Sequence, residues 1–302
     1  MTRFVSGPVR VTVPATSANL GPGFDALGLA LALRDQVEAE VVGSGLSVEV
    51  TGAGADDVPR DDRHLIVRAM RAAFELMDAE PPGLALRCHN LIPHARGLGS
   101  SSAAIVAGVT LARALVAGGS LVTDDEALFQ LAASLEGHPD NVAPAYYGGF
   151  VISGREDDFY AVRSAVDPRV STVVFVPPTP VETQVARGLL PETVPHRAAA
   201  ANSGRTALLV AALAGQPERL HLATRDYLHQ EYREPAMPDS LALVRALRAD
   251  GVAAIVSGAG PTVLAFADGG ASAGAPAALL ARCPEGWDAH HLAVDLDGVL
   301  LS

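Results

Sequence analysis

A chain of 302 residues carries 34 acidic and 22 basic side chains, a net charge of −12, and 49% hydrophobic residues. Every basic side chain is arginine, and lysine is absent. That excludes chemistry built on a lysine amine: a Schiff base with a carbonyl or pyridoxal group, a Walker A lysine, the strand lysine of a protein kinase. The acidity also excludes a dispersed nucleic-acid footprint, which needs a basic face.

The length predicts about two domains of roughly 150 residues each. Two cysteines, Cys88 and Cys283, build neither a disulfide framework nor a metal cage and fit a reducing compartment. The start shows no apolar run followed by a cleavage site. The longest uncharged stretch, residues 251–267, is broken by Gly258, Gly260 and Pro261 and is shorter than the ~20 residues a membrane span needs. A cytoplasmic location, with no membrane and no nucleic-acid partner, is expected.

Alternating apolar and polar residues predict strands over 9–13, 46–50 and 84–88. A helix is predicted over 62–77, where Leu65, Ala69, Ala73 and Leu76 recur at three- and four-residue intervals. A second helix, over 101–117, is small and apolar apart from Arg113, so burial on most sides is expected. A third, over 123–135, takes Thr123 as N-cap with Glu126 completing a capping box. A strand over 148–153 precedes the charged break 154–158, where the domain boundary is placed, giving 1–157 and 158–302. The second half reads as a strand over 171–176, helices over 181–188, 197–214 and 239–249, and a strand pair flanking 257–262. A helix over 273–282 and a strand over 290–295 close it. Strands and helices mix without strict alternation, which predicts two α+β domains rather than a doubly wound parallel sheet.

Glycine and serine alternate in Pro93-His94-Ala95-Arg96-Gly97-Leu98-Gly99-Ser100-Ser101-Ser102-Ala103 just before the small-residue helix. Such a segment can turn backbone N–H groups and serine hydroxyls toward an anion at a helix N-terminus, where the dipole adds favourable charge without lysine. The rival reading is a flexible loop that only caps a core helix. The match to the dinucleotide fingerprint fails, because no strand directly precedes the glycines. A second segment, residues 14–25, puts Asn19 and Asp25 on a glycine-punctuated loop, where they either bind a ligand or satisfy local turns. A third, residues 257–262, is a tight turn able to approach a ligand closely, or a plain hairpin connection. Glu136, Asp140 and Asn141 cluster at a helix end, an oxygen-rich candidate for Mg²⁺ or simply an acidic helix terminus capped by Pro139 and Asn141. No zinc signature and no nucleophile elbow is present.

In order and wording these segments resemble the GHMP kinase superfamily. The middle one is similar to its P-x-x-x-G-L-G-S-S-A-A motif with one extra serine. Pro-Ala-Thr-Ser-Ala-Asn-Leu-Gly-Pro-Gly-Phe-Asp and Glu-Gly-His-Pro-Asp-Asn-Val-Ala-Pro-Ala look like the branch that phosphorylates L-homoserine. The resemblance spans nearly the whole chain. It implies a ribosomal-protein-S5-like N-terminal half, a ferredoxin-like C-terminal half, and a site between them that uses ATP and Mg²⁺. By motif match, Pro93–Ala103 wrap the ATP phosphates, Ser101 and Glu136 reach Mg²⁺, and Asn19, Asp25, Asn141, Arg187 and Arg233 hold L-homoserine. Asn141, Glu136 and Arg187 are then the catalytic candidates. Where several relatives carry an aspartate base this chain has Asn141, so the hydroxyl is expected to be positioned, with phosphate or water taking its proton; Asp140 is the rival base. His64 stands where relatives have an asparagine in the adenine pocket. A homodimer is carried over from the family. Two other readings stay open: a GHMP kinase for another small alcohol, and a non-catalytic ligand sensor on the same fold.

Overall fold

The computed structural model describes residues 2–267 and 274–302. Its larger sheet has seven strands and its smaller one four. Strands β1 (Val9–Ala18), β2 (Leu27–Val41) and β3 (Gly45–Gly52) come first, then helix α1 (Leu65–Leu76), β4 (Gly83–Asn90) and helix α2 (Ser100–Leu115). Helices α3 (Gly119–Val122), α4 (Asp125–Glu136) and α5 (Pro139–Tyr147) follow, then hairpin β5 (Phe150–Arg155) and β6 (Phe159–Ser164). The rest is β7 (Ser171–Val176), α6 (Thr183–Gly188), α7 (His196–Gly215), α8 (Leu220–Ala223), α9 (Pro238–Ala249), β8 (Ala254–Val256), β9 (Val263–Ala267), α10 (Pro276–Leu280), β10 (Asp288–Ala293) and β11 (Leu300–Leu301).

The large sheet runs β11-β1-β2-β4-β3, with β5 and β6 continuing from β2, and only β3 and β4 pair in parallel. The small sheet is antiparallel in the order β10-β7-β9-β8. This is the α+β arrangement expected, two sheets with helices between and around them. Strand β7 shows how the halves join. Val173 and Phe175 face a core with α9 and α10 (Leu241, Val244, Leu279), while Val174 and Val176 face the main core shared with the large sheet. The alternation of side chains along a strand makes one sheet serve both.

Several elements were not legible beforehand. The fifteen-residue β2 is buried almost continuously from Leu27 to Leu31, so it shows no two-residue alternation there, and a buried Asp35 then interrupts the apolar pattern. Helix α5 begins with Pro139 at its first position and Asp140 in its first turn, the arrangement that starts a helix rather than ends one. The N-cap of α4 is Asp124, not Thr123: the Asp124 carboxylate accepts the Ala127 N–H at 2.8 Å. An aspartate caps as well as a threonine, and its side chain is the one in register with the third N–H. The charged break 154–158 forms the β5–β6 turn, within the large sheet; the chain enters the small sheet at β7. The expected helix over 273–282 is α10, and its first predicted residue, Ala273, lies outside the described residues.

Candidate active site

Helix α2 starts from Gly99, whose backbone is left-handed at φ 70°, with no side-chain cap and no acid in its first turn. The first intrahelical-type bond is Ala103 N–H to Gly99 O at 2.9 Å. The N–H groups of Ser100, Ser101 and Ser102 precede it and point out of the helix end, the standing deficit of every helix start. The loop before it is locked. A Cβ on Gly97 would lie 2.2 Å from Ser257 O, and one on Gly99 would lie 1.9 Å from Thr16 Oγ1. Leu98 is buried, so its side chain anchors the loop from below.

The third glycine-rich segment, left without a function by its sequence, packs on this loop. Ser257 Oγ donates to Gly97 O at 2.6 Å and Gly258 N–H reaches Ala18 O at 3.1 Å. Gly258 O in turn accepts from Asn19 Nδ2 and from Arg233, both at 2.8 Å. Asn19 Oδ1 receives the Asp25 N–H at 2.9 Å. So Asn19, at a left-handed φ of 66°, ties the loop after β1 to the turn between β8 and β9.

A cleft of about 320 Å³ lies over these segments and is lined by Asn19, Gly97, Gly99, Ser100, Ser101, Glu136, Asn141, Arg187 and Arg233. Of the predicted residues, Asp25 stands behind Arg187, meeting its two terminal nitrogens at 2.7 and 3.0 Å. Arg96 points away: it donates to the carbonyls of His94, Pro177 and Pro178. His94 and Ala103 line instead a neighbouring cavity of about 250 Å³ that shares Ser100 and Ser101 with the first. That second cavity is walled by Val37, Val58, Leu65 and Ala104, with His64 and Asn90 at its edge.

Charge in the cleft is arranged by side. Ser101 Oγ and Ser102 Oγ both donate to Glu136 Oε1, at 2.6 and 3.0 Å. Opposite, Arg233 is 1% exposed, yet its Nε has no partner and its side-chain bond goes to a carbonyl. Burial, then the neighbouring Arg187, pulls its pKa down to about 10. Asn141 Oδ1 accepts from Thr16 Oγ1 at 2.8 Å, which leaves its NH₂ as the free end. Asp140 is buried and bonded to His138 Nδ1 at 2.9 Å; that bond raises the His138 pKa against the opposing effect of burial.

The GHMP kinases N terminal domain family matches residues 64–149, and the GHMP kinases C terminal family matches residues 208–285. A homoserine kinase of Streptomyces avermitilis is 56% identical over 296 residues, covering 98% of this chain and 96% of that one. The chain belongs to the homoserine kinase family of GHMP kinases. One from Clavibacter michiganensis is 48% identical over 297 residues, covering 96% and 92%. A crystal structure of homoserine kinase from Cytophaga hutchinsonii superposes with a TM-score of 0.85 at 24% identity, over 99% of both chains, a likeness of fold. The kinase is ATP-dependent. Residues that sequence reasoning passed over also face the cleft: His138, Glu182, Thr183 and Ala259. Thr16 and Phe24 sat inside the first motif without a role; only their contacts across the fold single them out.

Proposed function

We propose that this cleft transfers the γ-phosphoryl group of ATP to the side-chain hydroxyl of L-homoserine. The observation that carries the reading is the pairing of an uncapped helix N-terminus on one wall with two arginines and an aspartate on the other. An amino acid brings a carboxylate and an ammonium. Arg233, which has no carboxylate partner, offers a fork for the first; Arg187 and Asp25, paired with each other, meet the carboxylate and the ammonium by exchanging part of that pairing for the substrate. An uncharged sugar would leave Arg233 buried without an anion, at a desolvation cost the substrate carboxylate relieves.

On the phosphate side the residues from Pro93 to Ala103 contribute mainly backbone: Gly97, Gly99 and the first turn of α2 present N–H groups to the triphosphate. The cavity between His64 and Ala104 takes the base. Ser101 and Glu136 form an oxygen pair that suits Mg²⁺, which needs only one or two protein groups. Bound there, Mg²⁺ would neutralise charge on the phosphate oxygens during transfer.

Asn141, held by Thr16, donates its N–H to the homoserine hydroxyl oxygen and, with Asn19, fixes its direction. An amide takes no proton, so Asn141 is not the base. Asp140 also lines the cleft, with only its Oδ1 tied to His138 Nδ1, and is the rival to the transferring phosphate or water as acceptor of the hydroxyl proton. Phosphoryl transfer asks for alignment and charge stabilisation above all. We move the division from residue 157, inside the β5–β6 hairpin, to the link between β6 and β7, and keep a cytoplasmic location and a homodimer as parts of the same proposal. Among the described residues no helix is long and apolar enough to cross a membrane.

ADP release measured with homoserine, threonine, mevalonate and galactose tests the substrate. Turnover of homoserine above the others is expected, and none with homoserine overturns the reading. For the base, D140N is expected to lower kcat by less than ~10-fold, about 1.4 kcal/mol; a larger loss restores Asp140 as base.

A further inference from the structure

Phe24 sits beside three groups that come from far apart in the chain. The Arg187 guanidinium lies 5.6 Å from its ring centre and that of Arg233 5.8 Å. The His229 ring stacks on it at 5.2 Å and 30°. His229 is itself fixed: fully buried, it donates through Nε2 to Gly21 O at 2.7 Å. Phe24 thus holds the loop after β1, which carries it, against the segment that carries His229 and Arg233.

Two guanidiniums held close together repel, and their counter-charges are unequal. Arg187 has the Asp25 carboxylate; Arg233 has one carbonyl and a bare Nε. The π face of Phe24 is what both share. A cation within about 6 Å of an aromatic centre is attracted to the face of the ring, more strongly as water is excluded. A leucine or methionine fills the same space but carries no such quadrupole.

We propose that Phe24 is the positioning residue that sets both guanidiniums for a substrate carboxylate, and so makes the enzyme select hydroxy amino acids over amino alcohols of the same length. This rests on the reading of Arg187 and Arg233 as the carboxylate site. Phe24 itself touches neither the hydroxyl nor the phosphate in this arrangement. Its loss acts on binding of the acid end and spares the phosphoryl step.

The test compares F24L, F24M and F24Y with the unsubstituted enzyme. Binding of L-homoserine and of 3-aminopropanol, which lacks the carboxylate, is measured by calorimetry alongside steady-state kinetics. F24L and F24M are expected to raise the homoserine Kd and KM at least about tenfold, roughly 1.4 kcal/mol. Their kcat, KM for ATP and affinity for 3-aminopropanol are expected to stay within about threefold, and F24Y to keep homoserine affinity within the same range. Unchanged homoserine affinity in F24L and F24M overturns the proposal. So does a parallel loss of ATP and 3-aminopropanol affinity, which marks a merely structural role. If the unsubstituted enzyme binds no homoserine, the substrate reading fails, and ¹⁵N relaxation of the Arg233 Nε signal decides on Phe24 separately. Rigid in the parent and F24Y but mobile in F24L supports positioning; equal mobility in all three overturns it.

Discussion

The two walls of the cleft present opposite kinds of donor. The wall built by the first half uses backbone: left-handed glycines, an uncapped helix end and serine hydroxyls. The wall completed by the second half uses side chains, two arginines on a phenylalanine with one buried to 1% exposure. Backbone donors are fixed by the fold and bind any phosphate in reach. Guanidiniums must be held in place, and each one held without a counter-ion stores a demand for a carboxylate. On the proposed function, the first wall gives general phosphate affinity and the second gives choice of acceptor. A protein without lysine can divide the work in this way.

Breaking the backbone wall should cost most. G99A places a methyl 1.9 Å from Thr16 Oγ1 at a φ of 70°. It is expected to lower kcat/KM for ATP by ~1,000-fold, about 4 kcal/mol, read in the ADP-release assay, with homoserine binding much less affected. If ATP turnover survives within tenfold, the loop is not the phosphate cradle.

Removing a guanidinium from the other wall should cost less and fall on the other substrate. R233Q is expected to raise the homoserine KM by ~100-fold, about 2.7 kcal/mol, because a charge-assisted pair is lost. The ATP KM should hold. Equal changes in both would mean that Arg233 supports the fold and not the acceptor.

Thr16 joins the walls through Asn141. T16V keeps the shape but removes the donor that fixes the amide. A fall in kcat of ~10-fold with little change in either KM is expected, since only the alignment of the hydroxyl is loosened. An unchanged kcat would show that Asn141 needs no anchor.

The effect that leaves turnover aside is on stability. Asp35 Oδ1 accepts the N–H groups of Leu91 and Ile92, which lead into the phosphate loop, and burial raises the Asp35 pKa to about 6. Between pH 4 and 6 the folded state then binds more protons than the unfolded one, so this residue's contribution falls as pH rises through that window. D35N keeps an acceptor oxygen without the charge. It is expected to stabilise the protein at pH 7.5 by about 1–3 kcal/mol and to flatten the slope between pH 4 and 6 in thermal melts. A lower melting temperature for D35N at pH 7.5 would refute this.

The sequence by itself determined the parts whose cause is local. The Gly97-Leu98-Gly99 run before a small-residue helix needs only the next turn of chain to turn its N–H groups outward, and that uncapped helix start was readable. Strand β7 is a short run of β-branched and aromatic residues, a local signal in itself, and it was found at its observed bounds, Ser171–Val176. Its motifs also carried the family. Only the tertiary structure decided what depends on distant partners. The start of strand β2, Leu27–Leu31, is hidden because burial on both faces removes alternation, whereas Val37 and Ala39 alternate with Gln36, Glu38 and Glu40 and carried a readable signal. The turn at Gly258 gained a role only when Asn19 and Arg233 converged on its carbonyl, 239 and 25 residues away in sequence. Phe24 reads as one apolar residue in a loop until two arginines and a histidine close around it. Local pattern encodes a donor facing outward, whereas desolvation and charge pairing belong to neighbours the chain brings together only on folding.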